Sequence, residues 1–155
     1  VIELEYGILP DILRVEIWKT ASLRVGGKRI CVTGGRTYKK AKLTYERLNR
    51  LHLYEGGIQE IGVGCATGLD AMVKDWAEEN KISYRRYVAD WDAIGIQAGC
   101  IRNGVMLEDF KPELLLGFPG GTGTTDCIRK ARKMNIERTL FDDETDPFLA
   151  AKRWG

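Results

Sequence analysis

The sequence predicts an α/β fold, a mainly parallel sheet between two layers of helices with an accessory β-hairpin at the N-terminus. Three observations carry that expectation. From Lys28 onward, short β-branched runs alternate with amphipathic stretches of helical length. Three of the runs end directly in glycine-rich turns. One run, Leu114-Leu115-Leu116-Gly117-Phe118, is apolar without alternation, as a strand covered on both faces must be. Strands separated by helices of roughly 10–15 residues feed a parallel sheet through right-handed crossovers.

Residues 1–28 stand apart from this pattern. Residues 1–6 and 13–17 each alternate apolar and polar side chains, with Gly7 and Pro10-Asp11 between them, which reads as a β-hairpin. Gly26-Gly27 forms a joint, and the segment is expected to cover a sheet edge or build a contact between copies. The regular domain is expected over residues 29–141. Residues 29–33 form its first strand, ending in Gly34-Gly35. The helix that follows carries Ala41, Tyr45, Leu48 and Leu51 on one face and stops near Gly56-Gly57. Residues 58–63 form the second strand, ending in Gly64. In the next helix Leu69, Met72, Val73, Trp76 and Ala77 recur at i, i+3, i+4, i+7 and i+8. A third strand over 82–88 leads through Asp90-Trp91 and Gly95 to a helix near 101–110. Pro112 precedes the apolar run, Pro119-Gly120-Gly121 ends it, and a helix bearing Cys127, Ile128 and Ala131 follows. A strand over 139–141 closes the alternation, and acidic residues from Asp142 begin a tail over 142–155.

A chain of 155 residues suits one domain and buries about two-thirds of its unfolded surface. A net charge of +2 gives no strong field, so nucleic acid is not an expected partner. No apolar run approaches the roughly 20 residues that span a bilayer, so no membrane is expected either. Glu3, Glu5 and Asp11 stand where a signal peptide needs a basic flank, and a cytoplasmic location is the expectation. Cys31, Cys65, Cys100 and Cys127 show no CxxC spacing, and His52 is the sole histidine. Reduced thiols, no metal site and no resident cofactor are therefore expected.

The chemistry is expected at the strand-end turns. In an open parallel sheet, ligands bind beyond the carboxyl ends of the strands. Thr33-Gly34-Gly35-Arg36, the 62–68 turn and the 119–123 turn all fall there. Glycine admits a ligand close to backbone N–H groups, and the following helix N-terminus favours an anion. The Gly62-x-Gly64-x-x-x-Gly68 spacing also competes as a dinucleotide fingerprint, one residue longer than GxGxxG, with Asp90 as its ribose ligand. No Walker A sequence is present.

Taken in order, Val32-Thr33-Gly34-Gly35-Arg36, Gly64-Cys65-Ala66-Thr67-Gly68-Leu69-Asp70 and Ala89-Asp90-Trp91 form the first three motifs. Gly95, Ala98-Gly99, Arg102-Asn103 and Met106 come next, followed by Phe118-Pro119-Gly120-Gly121-Thr122-Gly123-Thr124 and Asp126. This order resembles the YspA-like family of the SLOG superfamily, which also holds the DprA/Smf recombination mediators and the Lonely Guy phosphoribohydrolases. The resemblance covers about residues 29–141. It implies a Rossmann-like sheet, a nucleotide or nucleotide-derived ligand between the loops, and a homodimer. In Lonely Guy enzymes an arginine and the glutamate of a PGGxGTxxE motif carry hydrolysis of a nucleotide N-glycosidic bond. Arg102 matches that arginine, whereas Cys127 stands at the glutamate position with Asp126 beside it, as in the YspA-like pattern.

The resemblance thus makes Arg102 and Asp126 the catalytic candidates. Gly34, Gly35, Arg36, Gly64, Thr67, Gly68, Asp70, Trp91, Asn103, Gly120, Gly121, Thr122, Gly123 and Thr124 are the ligand-binding candidates. Each has a plainer alternative. Arg102 and Arg36 hold anions or form surface ion pairs; Asp70 and Asp126 contact ribose, exchange protons or satisfy first-turn N–H groups. Thr122 and Thr124 meet phosphate or cap a helix. Trp91 stacks on a base or anchors its loop. Asn103 orients Arg102 or a loop backbone. The cysteines read as packing residues, His52 as structural, and Arg129, Lys130, Arg132 and Lys133 as a solvated helix face or a single-stranded DNA patch.

Overall fold

The computed structural model describes residues 3–9, 13–20, 26–91, 95–142 and 152–154. In chain order the elements are β1 (Glu3–Leu9), β2 (Leu13–Lys19), β3 (Lys28–Thr33), α1 (Ala41–Tyr54), β4 (Ile58–Val63), α2 (Leu69–Glu79) and β5 (Ser83–Val88). A 3-10 turn (Gly95–Gln97) leads into α3 (Ala98–Phe110), then β6 (Leu114–Gly117), α4 (Thr122–Lys133), β7 (Glu137–Leu140) and β8 (Lys152–Trp154). The strands lie in one sheet in the order β1-β2-β5-β4-β3-β6-β7-β8. The five from β5 to β7 run parallel, as the alternation of strands and helices requires.

The winding reverses at β3. The chain steps from β3 outward through β4 to β5, then crosses back to β6 on the other side of β3 and continues to β7. Right-handed crossovers on either side of such a reversal put their helices on opposite faces. Accordingly, Leu48 and Leu51 of α1 and Val73, Trp76 and Ala77 of α2 pack with Ile30, Val32, Ile61 and Leu116 in one core. Met106, Leu107 and Phe110 of α3 and Cys127 and Ala131 of α4 pack with Cys31, Tyr87 and Leu115 in the other. Successive residues of β3 and β6 thus serve opposite layers, which explains why β6 is buried throughout and lacks alternation.

Three helices end where a residue turns left-handed: Lys81 after α2, Lys111 after α3 and Asn135 after α4, with φ of 55°, 53° and 58°. After α1 the turn falls on Gly56 and Gly57, at φ of 100° and 89°. His52 closes this corner by accepting the Ile58 N–H on Nδ1 at 3.1 Å and meeting Trp76 edge-on, the structural use expected of it.

The N-terminal hairpin is present and longer than its alternation suggests. β2 continues the sheet antiparallel to β5, with Val15 and Trp18 buried and Trp18 stacked on Tyr84 at 5.4 Å. The stretch expected as a tail also departs from the sequence reading, since β8 pairs antiparallel with β7. α3 begins at Ala98, three residues ahead of the expected start, and Arg47 of α1 is buried. Its guanidinium lies over Phe141 at 4.6 Å while Nη2 donates to the Asp142 carbonyl at 2.6 Å. Among the described residues no helix is long and apolar enough to cross a membrane.

Candidate functional site

A cavity of about 770 Å³ opens at the carboxyl ends of β3, β4 and β6, beside the reversal of winding. Its wall includes Thr33, Gly34, Gly35, Arg36 and Thr37 after β3, and Ala66 and Asp70 after β4. Trp91 and Gly95 come from the loop after β5. Gly99, Cys100, Arg102 and Asn103 belong to α3, and Gly121, Thr122, Gly123 and Thr124 to the start of α4.

The three glycine turns are bonded to one another. Gly35 N–H donates to the Pro119 carbonyl at 2.9 Å, and the Gly35 carbonyl accepts from the Leu69 and Tyr38 N–H groups, each at 3.2 Å. Such contact needs bare Cα atoms. A Cβ on Gly120 would land on the Thr124 hydroxyl and 2.8 Å from Gly35 N, and one on Gly34 would strike Leu69. Gly68 sits at φ 74° with its open side against the Arg36 carbonyl, which also accepts from the Thr67 hydroxyl at 3.1 Å. Gly68, Thr67 and Gly120 therefore assemble the turns from behind and do not line the cavity. This bonding also uses amides that sequence reasoning assigned to a ligand: Gly35 N–H and Leu69 N–H are spent between loops, and Ala66 N–H donates to Asp70 Oδ2 at 3.0 Å.

The first turn of α4 is the part left open. Its N-cap Gly121 offers no side-chain cap, and among the described residues the Thr122, Gly123 and Thr124 N–H groups have no acceptor, whereas Thr125 N–H closes onto the Gly121 carbonyl. Uncapped amides and the positive end of the helix dipole give this turn the chemistry to receive an anion.

Arg102 borders it. The residue is 9% exposed, and Nε donates to Asn103 Oδ1 at 3.0 Å. Nη1 reaches the Tyr87 carbonyl at 3.4 Å and Cys65 Sγ at 3.5 Å. Asn103 in turn donates through Nδ2 to the Gly123 carbonyl at 3.0 Å and to Asp126 Oδ2 at 3.2 Å. Asp126 lies outside the cavity wall, behind Asn103, and pairs with Arg129 at 2.9 Å and Lys130 at 3.0 Å. Partial burial alone would raise its carboxyl, but hydrogen bonds from Lys130, Asn103 and Arg129 outweigh that and hold it below the ordinary range. Lys130 also donates to the Cys100 carbonyl at 2.5 Å, tying α4 to α3.

Asp70 is, among the described residues, the sole carboxylate in the wall. Burial raises its pKa from 3.8 to about 6, against the opposing pull of Arg102, the Ala66 N–H, Arg86 and Arg36. Gly64 lies between this carboxyl and Arg102, since a Cβ there would stand 2.5 Å from Arg102 Nη1 and 2.8 Å from Asp70 Oδ2. At the mouth, the Arg36 guanidinium stacks over Trp91 at 4.7 Å, with Trp91 40% exposed and its ring edge against Gly99.

Several side chains depart from the sequence reading. Gly62 is a packing position whose open side meets Cys31 and Phe110, and neither it nor Asp90 lines the cavity, so the dinucleotide fingerprint has no geometric counterpart here. Cys127, by contrast, is buried as its packing reading expects, which pushes its thiol up to about 12 against the Thr33 hydroxyl and Arg102. Thr37 and Cys100 were not assigned a ligand role from sequence; Cys100 could have been found from its place one turn of helix from Asn103, whereas nothing local marks Thr37. Among the described residues no group of three His, Cys, Asp or Glu side chains could hold a metal ion.

Residues 28–93 match the model of the YspA, cpYpsA-related SLOG family, which bears out the resemblance carried by the motifs. The match takes in the turns after β3 and β4 and reaches Trp91; α3 and the turn before α4 lie beyond it. No curated protein matches the chain. A structure of DNA processing protein A from Helicobacter pylori, concerned with its single-stranded DNA binding mode, is 15% identical. It covers 95% of this chain and 85% of its own, with a TM-score of 0.56. A UDP-N-acetylglucosamine 2-epimerase is 18% identical over 75% of this chain, with a TM-score of 0.51, and this chain spans about a third (33%) of its length. At these identities both show the fold, an α/β sheet of Rossmann-like form.

Proposed function

Residues 28–93 of this chain belong to the YspA, cpYpsA-related SLOG family, and from that premise we propose that the cavity binds a nucleotide or nucleotide-derived ligand. The observation that carries this reading is the convergence of the open first turn of α4 with Arg102 on one wall of the cavity. In this reading the ligand's phosphate sits against the Thr122, Gly123 and Thr124 amides and the guanidinium. Hydrogen bonds to a charged group contribute roughly 1.5–3 kcal/mol each, so a few of them suffice for micromolar binding. The Arg36–Trp91 pair offers a flat, cationic face to a base at the mouth. Asp126 acts through Asn103: together with the Gly123 carbonyl it gives the amide nitrogen two acceptor-only partners, so that the amide oxygen faces Arg102 Nε. The two solved neighbours, one named for a nucleotide sugar and one concerned with single-stranded DNA, support a nucleotide-related ligand.

A second reading adds hydrolysis of an N-glycosidic or phosphate bond. It draws on Asp70, a buried carboxyl whose raised pKa suits proton exchange near neutrality. The test for both is a thermal-shift panel of nucleoside monophosphates, cyclic nucleotides, NAD and ADP-ribose, with mass spectrometry of each hit. A ligand at a hundred times its Kd stabilises by about 2.7 kcal/mol, which for a chain of this size raises Tm by roughly 5–10 °C. Arg102→Ala abolishes that shift while leaving the circular dichroism of the fold intact. Products in the mass spectrum establish turnover, and their absence leaves binding alone. A panel with no shift overturns the proposal. Binding of single strands with a steep salt dependence redirects it to nucleic acid.

A further inference from the structure

We propose that Asp70 reads a ribose hydroxyl, so that the cavity selects ribonucleotides over their deoxy counterparts. The inference rests on the nucleotide reading above and adds to it the class of sugar.

Asp70 sits in the first turn of α2, 6% exposed, with its carboxyl in the cavity wall. One oxygen, Oδ2, accepts the Ala66 N–H. The carboxyl forms no ion pair among the described residues, and Oδ1 has no donor there. A buried carboxylate with an acceptor oxygen left over at a cavity needs a donor from whatever fills the cavity, because an unmade hydrogen bond to a charge is costly. In this position a fully ionised phosphate cannot be the donor, since it offers acceptors only. A sugar hydroxyl meets the requirement.

The order of side chains across the floor matches such a ligand. From the open turn of α4 the hydrogen bonds run through Asn103 to Arg102, and Arg102 and Asp70 flank Gly64 from either side. The anion seat and the free carboxylate oxygen are thus separated by one guanidinium, the arrangement that suits a phosphate and the hydroxyl face of the sugar it esterifies. Gly64 keeps the gap between them open, since a methyl group there would occupy it.

The charge on Asp70 is set by its neighbours. Arg36 faces it from the turn after β3, Arg86 from β5, Arg102 from α3 and the Cys127 thiol from α4. Burial outweighs the three arginines and lifts the carboxyl to about 6, so it is a charged, strong acceptor at pH 7.5 and becomes a weaker, neutral acceptor on acidification. Preference for the ribose hydroxyl therefore fades below pH 6.

The experiment is isothermal calorimetry on the full chain with the four ribonucleoside 5′-monophosphates, ADP-ribose, the 2′-deoxy and 3′-deoxy monophosphates, and inorganic phosphate, at pH 7.5 and pH 5. The expected result is that at least one ribonucleotide binds about 10- to 100-fold more tightly than its deoxy counterpart at pH 7.5. That ratio falls toward one at pH 5, and Asp70→Asn lowers it at pH 7.5. Equal affinity of ribo and deoxy forms in the wild-type protein overturns the inference while leaving the nucleotide reading standing. Binding of neither form overturns both. The wild-type comparison needs no variant, so a poorly folded Asp70→Asn does not blunt it.

Discussion

Asp70 costs the fold stability at neutral pH, and the direction can be worked out. Its pKa is about 6 in the folded chain and near 3.8 when unfolded. Between those values the native state holds the extra proton, so stability falls as pH rises and the full penalty is present above pH 6. A shift of that size corresponds to roughly 3 kcal/mol. Asp70→Asn keeps an acceptor for Ala66 N–H and removes the charge, so it raises the urea midpoint at pH 7.5. The gain falls to well under about 1 kcal/mol near pH 4, where the folded carboxyl is protonated, and vanishes only below the unfolded value of 3.8. A midpoint that does not rise, or a gain retained at pH 4, contradicts this account. A second residue-scale prediction concerns Gly64. Gly64→Ala drives a methyl group between Arg102 and Asp70, destabilises by about 1–3 kcal/mol in chemical unfolding, and removes the proposed nucleotide binding. The sequence displayed Gly64 as one glycine of a turn; that its missing Cβ is the space between two opposite charges depends on α3 arriving from 38 positions later, and no local pattern carries it.

At the scale of elements, α3 and α4 are joined by a polar latch, Arg102 to Asn103 to Asp126 to Lys130 and back to the Cys100 carbonyl. Asp126→Asn removes the charged acceptor of Asn103 Nδ2 and the partner of Lys130 and Arg129, so the Gly123 carbonyl alone holds the amide and the grip of Asn103 on Arg102 loosens. The expected outcome is a fall of about tenfold or more in affinity for the proposed nucleotide ligand by calorimetry, with the helical circular dichroism unchanged. Lowering of the Asp126 pKa means that its contribution to stability is present at neutral pH and is lost as pH falls through the folded value. The latch was half legible. α2 announced itself through five apolar residues at helical spacing, and Leu69, Val73, Trp76 and Ala77 are buried as that spacing demands. α3 shows a weaker stripe because Arg102 and Asn103 occupy its buried face along with Met106 and Phe110, so its first turn passed for loop. Arg47 in α1 was invisible for a related reason: a long cation reads as outward-facing until the aromatic rings that receive it, Phe118 and Phe141, are brought up by the far half of the chain.

At the scale of the molecule, the parallel strands and their order of turns followed from the alternation of runs, whereas the capping of the sheet did not. β2 covers the β5 edge and β8 the β7 edge, each antiparallel, so the outer strands of the parallel core present no open ladder. The short β8 lies in a stretch whose acidic start looked like a solvated end, and pairing with β7 is a property of the sheet more than of those residues. The hairpin has a measurable weight. Trp18 is buried against Tyr84, so Trp18→Ala leaves a large void beneath the hairpin and lowers stability by about 3–5 kcal/mol in denaturant unfolding. A loss below 1 kcal/mol would mean that the hairpin rests on the sheet without being part of its core.

The backbone N–H of Gly35 holds Pro119 and its carbonyl holds Leu69 and Tyr38. With that keystone in place the receptacle is set before any guest arrives. Little ordering entropy is left to be lost on entry, and the Gly35 amide should already exchange slowly without ligand, slowing further only by the ligand's own stabilisation. Such a mould works by refusal: a guest that does not match it finds no second shape to coax from the walls.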